Sequence, residues 1–142
     1  MKTQLDTFVV RSSQKQEMID ITADVIEATR EAGIRNGFIG IFSQHTTAAV
    51  LVNEFQPALL SDIGDFLKRI IEDGVSYKHN SPEWSDCDRG NATSHLRSLL
   101  FSNSVMLPVV DGKPVLGQFQ SVIMAELDGP RERTIKIQFL GV

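Results

Sequence analysis

Cysteine, tryptophan and tyrosine each occur once among the 142 residues, and histidine only three times. A lone cysteine, Cys87, cannot close an intramolecular disulfide, so the chain needs no oxidising compartment. Its neighbours Asp86 and Asp88 disfavour a thiolate, which argues against a catalytic thiol. No apolar run approaches the roughly 20 residues of a membrane helix, and the opening MKTQLDTFVV lacks the apolar stretch of a signal peptide. Positive charge is not in surplus either. A net charge of -4 argues against nucleic acid and against an anionic membrane as partners. The glycines are wrongly spaced for a phosphate-cradling GxGxxG or P-loop, and no GxSxG elbow occurs. These absences predict a cytoplasmic protein whose partner is a small molecule or another protein.

What is present fits one domain spanning residues 1–142, long enough to bury a core without staples. Loose alternation over Leu5 to Val10 reads as an opening strand. ITADVIEATREAG then predicts a helix with Thr22 as N-cap and Gly33 as its stop. GFIGIF (Gly37 to Phe42) and AAVLV (Ala48 to Val52) are short apolar strands. From Pro57, the spacing of Leu59, Leu60, Ile63, Phe66, Leu67, Ile70 and Ile71 predicts an amphipathic helix ending near Gly74. Residues 76–91 read as one long loop. Asn91 is expected to cap a short helix with Leu96, Leu99 and Leu100 facing inward and backbone donors forming an anion pocket at its start. The last third is β: a hairpin of Val105 to Val110 and Val115 to Leu127 about an Asp111-Gly112 turn, then TIKIQFLGV. Pro108 places the first of these strands at an edge or bulge.

Between the two apolar strands, Gln44, His45, Thr46 and Thr47 form a polar knot that a core strand would not choose for stability. His79 and His95 also stand in polar, turn-like settings. Two readings are open: three imidazoles converging on one divalent metal, or three unrelated, hydrogen-bonded or exposed histidines. Asn53, Glu54, Asn91, Arg97, Gln118, Gln120 and Glu126 are of the types wanted for metal support, anion binding and proton transfer. Each also has a structural reading, Glu54 as the start of a helix and Gln118 with Gln120 as the solvent face of a strand.

HTTAAVLVNE, YKHN, GNATSHLRSLL, LPVVDGKPVLGQFQSV and ELDGPRERTIKIQFLG occur in this order. Over nearly its whole length the chain resembles the YjbQ-like family, also called the secondary thiamine-phosphate synthase family. It departs from the family's GTWQ with Gly117, Gln118, Phe119 and Gln120.

The resemblance implies a single compact α+β domain with a β-sandwich-like core of mainly antiparallel strands and about three helices, assembled as a homotrimer. It implies that His45, His79 and His95 group at one site, and the chemistry of three imidazoles without a thiolate set then predicts a divalent metal there, zinc first and magnesium second. Glu54 and Arg97 then become the catalytic candidates, and Thr46, Asn53, Asn91, Ser94, Gln118, Gln120 and Glu126 the substrate-binding ones. The implied activity is a weak thiamine-phosphate synthase, joining a pyrimidine methyl pyrophosphate to a thiazole phosphate with loss of pyrophosphate. A metal-dependent hydrolase of a small ester and a non-catalytic trimeric anion-binding protein are the alternatives. All three give the protein a small anionic or phosphorylated partner or an ester substrate, and none a nucleic acid or membrane.

Overall fold

The computed structural model describes all of residues 1–142. In chain order its elements are β1 (Lys2–Arg11), β2 (Glu17–Asp20), α1 (Thr22–Ala32), β3 (Gly37–Ser43), β4 (Ala48–Asn53), α2 (Pro57–Ile70) and α3 (Ala92–Ser98). They are followed by β5 (Ser104–Val110), β6 (Lys113–Pro114), β7 (Ser121–Glu126) and β8 (Glu132–Gly141), with a single 3-10 turn at Lys78–Asn80. One antiparallel sheet has the order β1, β8, β3, β5, β6, and a second the order β2, β7, β4. The chain is thus a single α+β domain with three helices and two antiparallel sheets.

Period-two alternation explains how the sheets face each other. Ile39 and Ile41 of β3 and Ile135, Ile137 and Phe139 of β8 point to one side and are fully buried, as strand geometry requires of residues two apart. They meet Val50, Val122 and Met124 from the second sheet and Val25 and Ala32 from α1 in one core cluster. Gly33 ends α1 in the left-handed region at φ 65°, donating its amide to Arg30 O, a conformation that favours glycine. At the far end of the strands Gly37 has no room for a side chain, since a Cβ there would lie 2.1 Å from Leu140 O.

Several expectations are corrected. Thr22 is the first residue of α1 and not its cap; Asp20 Oδ1 accepts from both the Thr22 amide (2.9 Å) and hydroxyl (2.6 Å). β2, EMID, is a strand that four residues were too few to announce by periodicity. The stretch Val115 to Leu127 is not one strand. β6 pairs with β5 over two residues only, and a turn closed by Gln120 N donating to Gly117 O (3.0 Å) sends β7 into the other sheet beside β4. α3 presents the reverse of the expected face: Ala92, Thr93, Ser94 and Arg97 are buried, while Leu99 is 78 % exposed and Leu100 45 %. The helix ends at Ser98, so Leu99 and Leu100 lie beyond it, and the buried side is taken by Arg97 and the residues of its first turn.

Candidate functional site

The knot at residues 44–47 links β3 to β4, and therefore one sheet to the other. His45 leaves the end of β3 with its amide donated to Ser43 Oγ (3.2 Å), and its Nε2 accepts from the Thr134 amide at the start of β8 (2.9 Å). That bond needs an unprotonated Nε2, so the neutral ring carries its hydrogen on Nδ1. Burial, and after it the charge of Arg133, lower the His45 pKa from its ordinary value. His95, on α3, is lowered by burial first and by His79 second, against a hydrogen bond to the Thr46 backbone and the charge of Asp128.

His45 and His95 line one open cavity of about 620 Å³ with Thr46, Ser98, Ser102 and Asn103, and with Leu96, Leu99 and Phe101 as its apolar wall. A second cavity of about 380 Å³ lies on the other side of His95, against Tyr77, Lys78 and His79. The rings of His79 and His95 meet edge to face, their centroids 4.9 Å apart. His95 is therefore the wall between two hollows, sharing one with His45 and the other with His79.

The remaining candidates fall in different places. Glu126 is fully buried at the His45 end of β7, where Arg133 Nε (2.7 Å), Ser12 Oγ (2.8 Å) and the Asp128 amide (2.9 Å) all donate to its carboxylate. Burial pushes its pKa up, but these donors outweigh it and the net shift is downward, so Glu126 stays ionised. Asn91 is buried with Nδ2 on Asp128 Oδ2 (2.9 Å), and Ser94 Oγ donates to Leu127 O. Arg97 turns toward the end of α2, donating to Ile71 O (2.7 Å) and Asp73 Oδ1 (3.2 Å), with its buried Nε unpartnered. Ala92, the first residue of α3, already gives its amide to Asn80 Oδ1 (2.9 Å), which occupies the helix start in place of an anion.

Asn53, Glu54, Gln118 and Gln120 lie elsewhere. In the β4–β7 ladder Ala48 faces Glu126 while Asn53 faces Ser121, so these four residues belong to the opposite end of the strands, ~20 Å from His45 at about 3.3 Å per residue. Glu54 is exposed, its amide donated to Asn53 Oδ1 (2.8 Å). Gln120 Oε1 accepts from the Gly117 amide (2.8 Å).

Sequence reasoning missed Arg133, Asp128, Arg89, Arg131 and Lys15, which tie together the turns beneath the histidines. For Asp128, Arg131 and Arg133 the signal was the run DGPRER, in which two acids alternate with two arginines; Arg89 and Lys15 carried none.

Residues 6–142 match the family model described as UPF0047 protein YjbQ-like. The chain belongs to the YjbQ-like UPF0047 family. A UPF0047 protein of Methanothermobacter thermautotrophicus is 42 % identical over 132 residues, 93 % of this chain and 88 % of that one. Among solved structures, a YbjQ-like protein of unknown function from Sulfolobus solfataricus P2 superimposes with a TM-score of 0.90 at 36 % identity, covering 99 % of each chain. A hypothetical protein from Aeropyrum pernix K1 gives 0.88 at 35 % identity, covering 98 % of this chain and 99 % of its own.

These findings overturn the expected reaction. The YjbQ-like relatives carry the family designation or are described as of unknown function, and none is described as a thiamine-phosphate synthase. Nor do the three imidazoles form one ligand set: no group of three or more His, Cys, Asp or Glu side chains stands in metal-holding geometry, and the Nε2 lone pair of His45 is engaged by Thr134. The side chains as placed do not fit the three-histidine zinc or magnesium centre, and the metal-dependent hydrolase loses the same centre.

Proposed function

We propose that this YjbQ-like chain takes a small phosphorylated molecule into the cavity between His45 and His95, and that the two imidazoles exchange a proton with it. One observation carries the reading: two rings biased toward the neutral form share a cavity of about 620 Å³ whose other polar walls are hydroxyls and an amide. A neutral imidazole near physiological pH both donates and accepts, which is what proton transfer to a bound ligand asks of it. With Nε2 of His45 held by Thr134, the proton on Nδ1 makes His45 the donor of the pair and leaves acceptance to His95.

The same reading makes the protein a cytoplasmic homotrimer. No helix is long and apolar enough to cross a membrane. Support for association comes from the outer face of the five-stranded sheet, where Leu5, Val9, Phe38, Met106, Val110 and Leu140 are all exposed. Phe38 faces Pro108 on one neighbour and Leu140 on the other, so the apolar strip is continuous across three strands. Such a strip on a soluble domain marks an interface.

The test of the site is NMR of the labelled imidazoles during titration with a panel of phosphorylated small molecules. His45 and His95 resonances are expected to move together and saturate, and His95→Gln to abolish the response. A panel that shifts neither ring sinks the proposal.

A further inference from the structure

Beneath the histidines, the turn joining β7 to β8 builds a cluster of charges that proton transfer in the cavity does not use. Asp128 is 3 % exposed. Its Oδ2 accepts from Arg89 Nε (3.0 Å), Asn91 Nδ2 (2.9 Å) and Arg131 Nη2 (2.9 Å), and Lys15 Nζ stands 3.6 Å from Oδ1. Three cations from three separate segments, the β1–β2 turn, the loop before α3 and the β7–β8 turn, converge on one carboxylate.

Neither charge nor hydrogen bonding balances there. Both guanidinium bonds end on the same oxygen, so the two bonded nitrogens lie within about 6 Å of each other, a separation at which like charges repel appreciably. The other acids nearby do not relieve them. Glu126 is taken by Arg133, Glu132 by Arg11, and Glu17 by the Ser13 and Gln14 amides. Asp86 and Asp88 are exposed and pair with none of the three cations. Arg89 and Arg131 each spend one side-chain nitrogen on Asp128, and their other guanidinium nitrogens make no hydrogen bond within the chain. The side chains of Lys15, Arg89 and Arg131 are 60 %, 50 % and 30 % exposed, so these spare donors are open to solvent.

We propose that Arg89, Arg131 and Lys15 form a binding site for a phosphate group, with Asp128 as the buried post that fixes their spacing. A phosphate offers oxygens to two guanidinium forks at once and supplies the negative charge the cluster lacks. The post is buried and tied to the Asn91 side chain, four residues before His95, so the site is fixed relative to the cavity. Its charges reach the imidazoles: Asp128 acts on His95 and Arg131 on His45. From the reading above it takes only the class of ligand, a phosphorylated small molecule, and adds the anchor by which the phosphate is held.

The experiment is titration calorimetry of the full chain with inorganic phosphate as probe. The unmodified protein is expected to bind saturably at millimolar concentrations or below, more weakly as salt is raised. Arg89→Gln and Arg131→Gln should each lower the affinity about tenfold, the scale of one charge-assisted contact. Lys15→Gln leaves both arginine bonds to Asp128 in place, so its folding is not in question, and it should lower the affinity severalfold. The imidazole resonances separate this site from the cavity: saturable phosphate binding with His45 and His95 silent across the panel of phosphorylated molecules sinks the cavity reading alone. Absence of saturable phosphate binding by the unmodified chain, or unchanged affinity in Arg89→Gln and Lys15→Gln, overturns the proposal.

Discussion

Two kinds of polar residue meet around the link from β3 to β4, where Glu126 and Arg133 act on His45, and burial sorts them. Glu126 and Arg133 are sealed, at 0 % and 1 % exposure, and each satisfies the other together with Ser12 and Thr47. A pair so enclosed holds β7, β8 and the knot at residues 44–47 in one arrangement, because removing either partner strands a buried charge. His45 and His95 are only half-buried and keep an edge toward the cavity. Their lowered pKa values carry a consequence for stability. With the folded pKa below the unfolded value near 6.5, the unfolded chain binds protons first as pH falls. The stabilisation from keeping these rings neutral is thus complete above the unfolded value and is lost progressively as pH falls through the folded one. Urea midpoints are expected to drop between about pH 7.5 and pH 5, and the drop should shrink in a His45→Gln, His95→Gln double variant. An unchanged slope in that variant would refute the assignment.

At the scale of the element, α2 shows how a strong pattern leaves part of the energetics open. Pro57 at its first turn and the Gln56 side chain accepting from the Leu59 amide (2.8 Å) start the helix, as cap chemistry predicts. Its apolar residues recur at three- and four-residue spacing, yet only Leu67 is fully buried, while Phe66 and Ile70 are about half exposed. The helix lies beside β2, with Leu60 and Gly64 near Met18 and Gln16, and its stripe is wider than the ground it covers. Leu67→Ala should therefore cost about 2 to 5 kcal/mol, as buried leucine deletions do, and Ile70→Ala less than about 1 kcal/mol. Denaturant titration of both variants checks this, and equal losses would show that the whole stripe is packed.

For the molecule as a whole, the asymmetry between its two sheets matters most. The three-stranded sheet is buried on both faces: Val122 and Met124 belong to the core cluster, and Ile123 and Ala125, which alternate with them, are equally buried outside it. The five-stranded sheet has one face in the core and the other bare, with Met106 72 % exposed and Phe38 50 %. If this face joins subunits, Phe38→Glu with Met106→Lys should convert a trimer into a 15.8 kDa monomer, read by light scattering, without changing the circular dichroism. An unmodified protein already monomeric at micromolar concentration would reject the homotrimer.

Local order along the chain sufficed for much of this. TIKIQFLGV announces β8 because Ile135, Ile137 and Phe139 alternate with Lys136 and Gln138, and Gly33 announces the end of α1 because a left-handed residue is needed there. The site was legible as residue types: the polar knot flagged His45, and the short helix flagged His95. What periodicity cannot carry is which sheet a strand joins and which face a short helix turns inward, since both depend on partners far along the chain. So Val115 to Leu127 read as one strand although it crosses between sheets, and Leu99 read as core although Ala92, Thr93, Ser94 and Arg97 hold that side. Tertiary packing alone decided that His45 and His95 share a cavity, that Arg97 turns away from it toward the end of α2, and that Asp128 gathers three cations. Those facts are distances between segments, and a distance between segments is fixed by how the sheets stack and not by any residue's own preference.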